Sequence, residues 1–549
     1  MLLAVAVYFV ALGNSAIWDA NEAFYVETPR EMIEAHDFVN PTFNYEPRLN
    51  KPVLSYWIVA GLYKAFGVSV AVQRFGIALG ALIIIACAFV LGRTTQDSRS
   101  GIHDQGFGIQ DQRSGISDSA AIWAAAGLAA APRLVMFARR IFIDIWISAF
   151  MALTLTCFAL SERYPERRRL FLILMYVAVG FGALTKGPVA IALPALAFIL
   201  YFAVQREFGR MFRMMIPLGI VIVAAIVVPW YLALYREQGW TYIWSFLIKE
   251  NVERFTQGVG VRQPRPLWFY LPVVLSDSFP WSMLLPVAAV ASWRRRSRLD
   301  TLLWCWIFAI VGFFSFSAGK QDLYIFPIVP AVAALGGTAL ARALADDGRS
   351  RALSWTFGVT GVLLALTGAL IIALFVAAGT VYSLDSALIV GIFGLAGGLA
   401  IAGLAIARRP AISAAALLAS LVAVNWVFVL RVLPEFERYK PVPGMTAVIQ
   451  QRLRTDEAVA HYNVALPSMV YYLRGHIETP DSREEFIEFM QRHHAYAVMR
   501  ADDYRSVSAD LGPGACIVGE WDSFQAKLKD VLAHRPLPKL VLVYNRCQP

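Results

Sequence analysis

The chain is punctuated by apolar runs of about 17–25 residues, the length that crosses a bilayer core of about 30 Å. Such a core holds no water, so each run must satisfy its backbone hydrogen bonds internally and is expected as a helix. About thirteen runs are readable, among them 2–17, 119–137, 187–204, 271–293 and 410–432. Hydrophobic residues make up 58% of the 549 and charged ones 16%, which excludes an ordinary soluble domain. The expectation is a polytopic α-helical membrane protein of about 13 transmembrane helices over 1–432, with a small C-terminal α/β periplasmic domain over 433–549.

A net charge of +10 does not point to nucleic acid. Clusters such as Arg167-Arg168-Arg169 and Arg294-Arg295-Arg296 sit in short connections between apolar runs, as positive-inside markers do. With those clusters in the cytoplasm, three polar stretches fall outside: a loop at 18–66, a second at 236–270, and the tail from 433. This topology suits a multi-pass protein of a bacterial inner membrane. The first run begins at Leu2 without a basic leader, so it is expected to stay as a span. The segment 93–118 falls inside; its repeated Arg-Ser-Gly-Ile at Arg99 and Arg113 offers little to bury and reads as a disordered insertion.

In the tail, compact runs at 457–464, 468–473, 495–500, 514–519 and 539–545 read as strands. Ser482, three residues before Glu485, starts an amphipathic helix over 482–494 with a capping box. Cys87, Cys157 and Cys305 lie in apolar runs and serve as small hydrophobes. Cys516 and Cys547 could pair if the tail lies outside.

Charged residues at a membrane face are costly and mark chemistry. The 18–66 loop carries Asp19 and Glu22 first, then Arg48 and Lys51. A carboxylate can take the proton of an attacking hydroxyl, and cations can hold a departing phosphate. Lys51 reads as a snorkelling anchor or, in so acidic a loop, as a phosphate contact. Asp144 follows Arg140 by four residues, so it either locks a helix end in an ion pair or works with the loop acids. Lys186 interrupts two apolar runs in Thr185-Lys186-Gly187-Pro188, where irregular backbone must line a cavity. Arg139, Arg254, Lys320 and Tyr324 complete the candidates on the same side. No glycine-rich phosphate loop, CxxC pair or HExxH is present, and His493-His494 reads as the polar end of a helix. No cofactor is assigned, and a divalent metal is left open.

Taken together, these segments resemble the GT-C class of membrane glycosyltransferases, within the protein O-mannosyltransferase and aminoarabinose (lipid A) transferase superfamily. The matching residues are Asn21-Glu22-Ala23-Phe24-Tyr25 through Arg30-Glu31-Met32, Lys51-Pro52-Val53-Leu54-Ser55-Tyr56-Trp57, and Arg139 to Asp144. Thr185-Lys186-Gly187, Pro229-Trp230, Glu253-Arg254-Phe255, Pro280-Trp281 and Lys320 to Pro327 follow in order, so the likeness spans about 1–340. The resemblance implies inverting transfer of a sugar from a polyprenyl-phosphate donor to a lipid, glycan or protein acceptor at the outer face. It implies a first-loop acid as base and basic residues on the donor phosphate. Two departures bear on this. Asn21 stands where the family has Asp, leaving Glu22, Asp19 or Asp144 as base, or a chain inactive in the expected way. Asn50 stands before Lys51 where the aminoarabinose enzymes carry Glu. A transporter or flippase of lipid-linked glycans is the rival class, but it would put its polar groups at the membrane midplane. A third alternative makes the tail a partner-binding module and the spans its anchor.

Overall fold

Long apolar runs do become helices, but several are cut short by what stands inside them. A computed structural model describes the chain except residues 20, 21, 49, 95–106, 259–264, 347–349, 378, 380–382, 455, 456, 525–527, 548 and 549. Asn21 and 95–106 of the expected insertion therefore lie outside the described residues. Among those described, nine helices are long and apolar enough to cross a membrane. A tenth is counted if Leu267–Asp277 and Trp281–Arg295, bent by 109°, form one span.

The run 2–17 yields only the helix Leu2–Ala6 before turning, with Ala11 at φ 55°. The run 119–137 belongs to Phe107–Ala129, which stops where Pro132 forces extended backbone on Ala131 and opens the short helix Pro132–Phe137. The run 187–204 becomes the 17-residue helix Val189–Gln205, and 271–293 breaks around Pro280, which has no N–H to donate. Residues 107–118, expected to be disordered, instead form the start of Phe107–Ala129. Ser117 Oγ donates to the Arg93 carbonyl at 2.7 Å and Asp118 pairs with Arg93 at 3.1 Å. A helix nucleated by its buried apolar half extends one residue at a time into polar sequence.

Val329–Ala345 runs through the middle of the bundle, with every residue from Val329 to Ala341 buried. Gly337 lets its backbone touch that of Ala120 and Ala124, leaving no room for a side chain. Towards the periphery, Arg351–Ala377 and Asp385–Ile406 pack against each other through Gly361 and Gly368 and leave apolar outer faces exposed, as lipid-facing helices do.

The first loop holds the helix Ala23–Glu34 and a hairpin of β1 (Thr42–Phe43) and β2 (Glu46–Pro47). Asn44 and Tyr45 sit at φ 59° and 62°, a two-residue turn with both central residues left-handed. The turn folds the chain back, bringing Arg48 against Phe24. In the tail, β3 (Ala458–His461), β4 (Ala495–Arg500), β5 (Cys516–Asp522) and β6 (Lys539–Tyr544) form one sheet in the order β3-β4-β6-β5. Only β3 and β4 are parallel. Ser482 caps Arg483–Arg492 by accepting from Glu485 N at 3.1 Å, and the Glu485 carboxylate takes Asp481 N at 2.9 Å. The run 468–473, expected as a strand, is the helix Ser468–Leu473. Tertiary contacts decide this: Met469 and Val470 are buried, and the Tyr472 hydroxyl accepts from Ile17 N at 3.1 Å. Cys516 and Cys547 form a disulfide with their Cα atoms 6.0 Å apart.

Candidate active site

Helix ends bring the charges together. Asp144 lies in the first turn of Phe142–Arg163, where the helix dipole favours an anion. Lys186 closes Arg168–Lys186, where the dipole favours a cation, and Gly187 at φ 87° ends that helix. The two helices pack side by side as a hairpin, so the start of one meets the end of the other. Lys186 Nζ and Asp144 Oδ1 form an ion pair. Lys51, just ahead of Leu54–Phe66, contacts Glu250 Oε2 at 2.7 Å, and Arg254 reaches the same oxygen at 3.1 Å. Lys186 Nζ also lies 5.1 Å from the Tyr324 ring centre, a cation–π contact. Burial pushes the Lys51 ammonium below its ordinary pKa, and Glu250 pulls it back.

These groups edge two cavities. The larger, of 390 Å³, has an apolar wall that includes Ile147, Met151, Leu193 and Phe314, and a polar end of Lys51, Asp144, Lys186, Glu250, Arg254 and Tyr324. The smaller, of 270 Å³, is bordered by Phe24, Tyr25, Arg48, Asn50 and Ile141. Lys51, Asp144, Glu250 and Arg254 border both. An amphiphile with an acyl chain in the first cavity would present its charged head to this shared rim.

Six residues read from the sequence, Arg48, Lys51, Asp144, Lys186, Arg254 and Tyr324, thus line the cavities. Four others line neither. Glu22 is fully buried, and its carboxylate is gripped by Arg74 at 2.6 and 2.9 Å in an ion pair that opens on neither cavity. Asp19 accepts from Ser468 N at 2.8 Å, fastening the first loop to the tail, and burial raises its pKa. Arg139 donates to the carbonyls of Val7, Val10 and Ala11 at 2.9–3.0 Å, satisfying backbone where the first short helix ends. Lys320 donates to the Ser317 carbonyl at 2.6 Å. The Arg140–Asp144 pair does not form. Ile141 is extended, so Arg140 lies outside the helix and its guanidinium sits 5.5 Å from the Trp18 ring.

Glu250 and Gln321 were missed by sequence reasoning, while Tyr25 and Asn50, read there only within the resembling segments, border the cavities. For Glu250 the signal was present in its spacing four residues before Arg254, though such a pair usually marks a solvated helix face. Among the described residues, no group of three or more His, Cys, Asp or Glu side chains is placed to hold a metal ion.

The geometry has counterparts. A family model described as dolichyl-phosphate-mannose-protein mannosyltransferase matches residues 111–244. The undecaprenyl phosphate-alpha-4-amino-4-deoxy-L-arabinose arabinosyl transferase of Pseudomonas aeruginosa (strain UCBPP-PA14) is 30% identical over 436 residues, covering 77% of this chain and 72% of its own. Arabinosyl transferase 1 of that name from Pseudomonas fluorescens (strain Pf0-1) is 28% identical over 389 residues, 69% of this chain. That match spans 63% of the relative's length, and the one to the Pseudomonas savastanoi enzyme spans 64%. The crystal structure of ArnT from Cupriavidus metallidurans bound to undecaprenyl phosphate superposes with a TM-score of 0.79 at 22% identity, covering 100% of this chain and 98% of that one. A multi-pass helical bundle of this form is the fold of the GT-C class of membrane glycosyltransferases. Through its likeness to the P. aeruginosa transferase, the chain belongs to the GT-C family that holds these aminoarabinose transferases.

Proposed function

We propose that this chain transfers a sugar from a polyprenyl-phosphate donor to an envelope acceptor at the outer face of a bacterial inner membrane, with its tail domain (433–549) in the periplasm. One observation carries the reading: an apolar cavity ends in three cations, Lys51, Lys186 and Arg254, beside the carboxylate of Asp144. The polyprenyl chain lies along the apolar wall and the phosphate meets the cations. The acceptor hydroxyl attacks the anomeric carbon, giving its proton to Asp144. The bond from that carbon to the phosphate oxygen breaks, and the lipid phosphate leaves with the electron pair, stabilised by Lys51 and Arg254. A single displacement inverts the anomeric centre. The ion pair with Lys186 holds Asp144 at the shared rim before substrate arrives.

Such a protein turns over a glycosyl undecaprenyl phosphate and releases undecaprenyl phosphate in detergent. Asp144→Asn lowers the rate by about 10²–10⁴-fold, and Lys51→Ala weakens binding of undecaprenyl phosphate. Full turnover by Asp144→Asn would remove it from the chemistry. Binding of the lipid phosphate with movement across liposomes, and no release from any donor, would favour a flippase.

A further inference from the structure

The charges at the shared rim nearly balance a donor phosphate. Lys51 and Arg254 on the rim, with Lys186 beside it on the larger cavity, face Asp144 and Glu250, leaving one net positive charge, and the phosphodiester of a glycosyl lipid carries one negative charge. Arg48 is a fourth cation, and it lies on the smaller cavity. Its guanidinium carbon is 3.5 Å from the centre of the Phe24 ring, so the fork is held by stacking. Its Nε is buried without a hydrogen-bond partner, and so is Asn50 Oδ1 beside it on the same cavity. Among the described residues no carboxylate forms an ion pair with Arg48. A buried donor on a cation is costly to leave unmet, and a planar guanidinium suits a carboxylate bidentately.

Resting on the transferase reading above, we propose that this cavity receives the transferred sugar and that Arg48 with Asn50 selects an acidic sugar of the uronic acid class. The anomeric carbon is one oxygen from phosphorus, so the sugar ring must occupy the volume next to the phosphate-binding cations. That volume is the cavity Arg48 borders. The sugar carboxylate accepts from the guanidinium, and a ring hydroxyl donates to Asn50 Oδ1. An amino sugar, as in the names of the relatives, would instead set a second uncompensated positive charge beside Arg48.

The test is competition against labelled undecaprenyl phosphate on the full-length protein in detergent. The competitors are undecaprenyl phosphates carrying glucuronosyl, glucosyl and 4-amino-4-deoxy-arabinosyl groups. Glucuronosyl should bind about 10–100-fold more tightly than its isostere glucosyl, the range of a charge-assisted hydrogen bond, and the amino sugar weakest. Arg48→Gln should bring the glucuronosyl-to-glucosyl ratio close to one and Arg48→Lys should restore part of it. The ratio is internal, so it does not depend on how much of a variant is folded. A wild-type ratio near one, tightest binding of the amino sugar, or a ratio that survives Arg48→Gln overturns the proposal. Failure of undecaprenyl phosphate itself to bind would sink the transferase reading instead.

Discussion

Replacing Glu22 by Gln separates a structural carboxylate from a catalytic one. Glu22 and Arg74 are both buried, and the carboxylate spans two guanidinium nitrogens. Removing one charge from a buried pair costs about 3–5 kcal/mol, because the other is left uncompensated. Here Arg74 keeps the carbonyls of Leu12, Ser15 and Ala16 and the Ser15 hydroxyl, at 2.7–3.0 Å, and Gln still offers one oxygen. The loss should therefore fall at the low end, about 3 kcal/mol, or roughly a hundredfold in the folded-to-unfolded ratio. Tryptophan fluorescence during denaturant titration of the detergent-purified protein reads it directly. The double variant Glu22→Leu with Arg74→Met should recover much of the stability, since removing a whole buried pair is tolerated better than halving it. Asp144→Asn also halves an ion pair, with Lys186, but it should lose turnover as well as stability, whereas Glu22→Gln should keep the turnover of its folded fraction. Wild-type unfolding of Glu22→Gln combined with lost donor turnover would refute the reasoning and return Glu22 to the chemistry.

Burial holds the His461 imidazole down to about 4 in β3. Stability is then full above the unfolded value near 6.5 and is lost as pH falls to about 4, by about 3 kcal/mol; unfolding against pH measures it, and His461→Gln should flatten that slope. Cys516→Ser with Cys547→Ser opens a link between residues 31 apart and should cost about 3–4 kcal/mol, read as earlier proteolysis of the tail; equal resistance would contradict it. Gly337→Ala should destabilise by about 1–3 kcal/mol, because the new methyl meets the Ala124 backbone, and thermal unfolding of purified protein checks this.

Where a run of residues carries its own physical requirement, the sequence determined the outcome. Apolar stretches had to be helices because lipid leaves their amides no other partner. Lys186 at its Thr-Lys-Gly-Pro break and Asp144 at a helix start were legible because irregular backbone or charge at that depth demands a reason. Ser482 and Glu485 announced a helix start for equally local causes. What the tertiary structure decided was pairing. Arg74 lies 52 residues from Glu22 and Glu250 lies 199 from Lys51, and no local pattern reports such a meeting. Glu22 and Lys51 looked alike in the sequence, two charges in one polar loop. Packing buried the first against a guanidinium and set the second on a cavity, because a charge near a membrane finds its energy minimum in a specific partner, and only the folded chain chooses which.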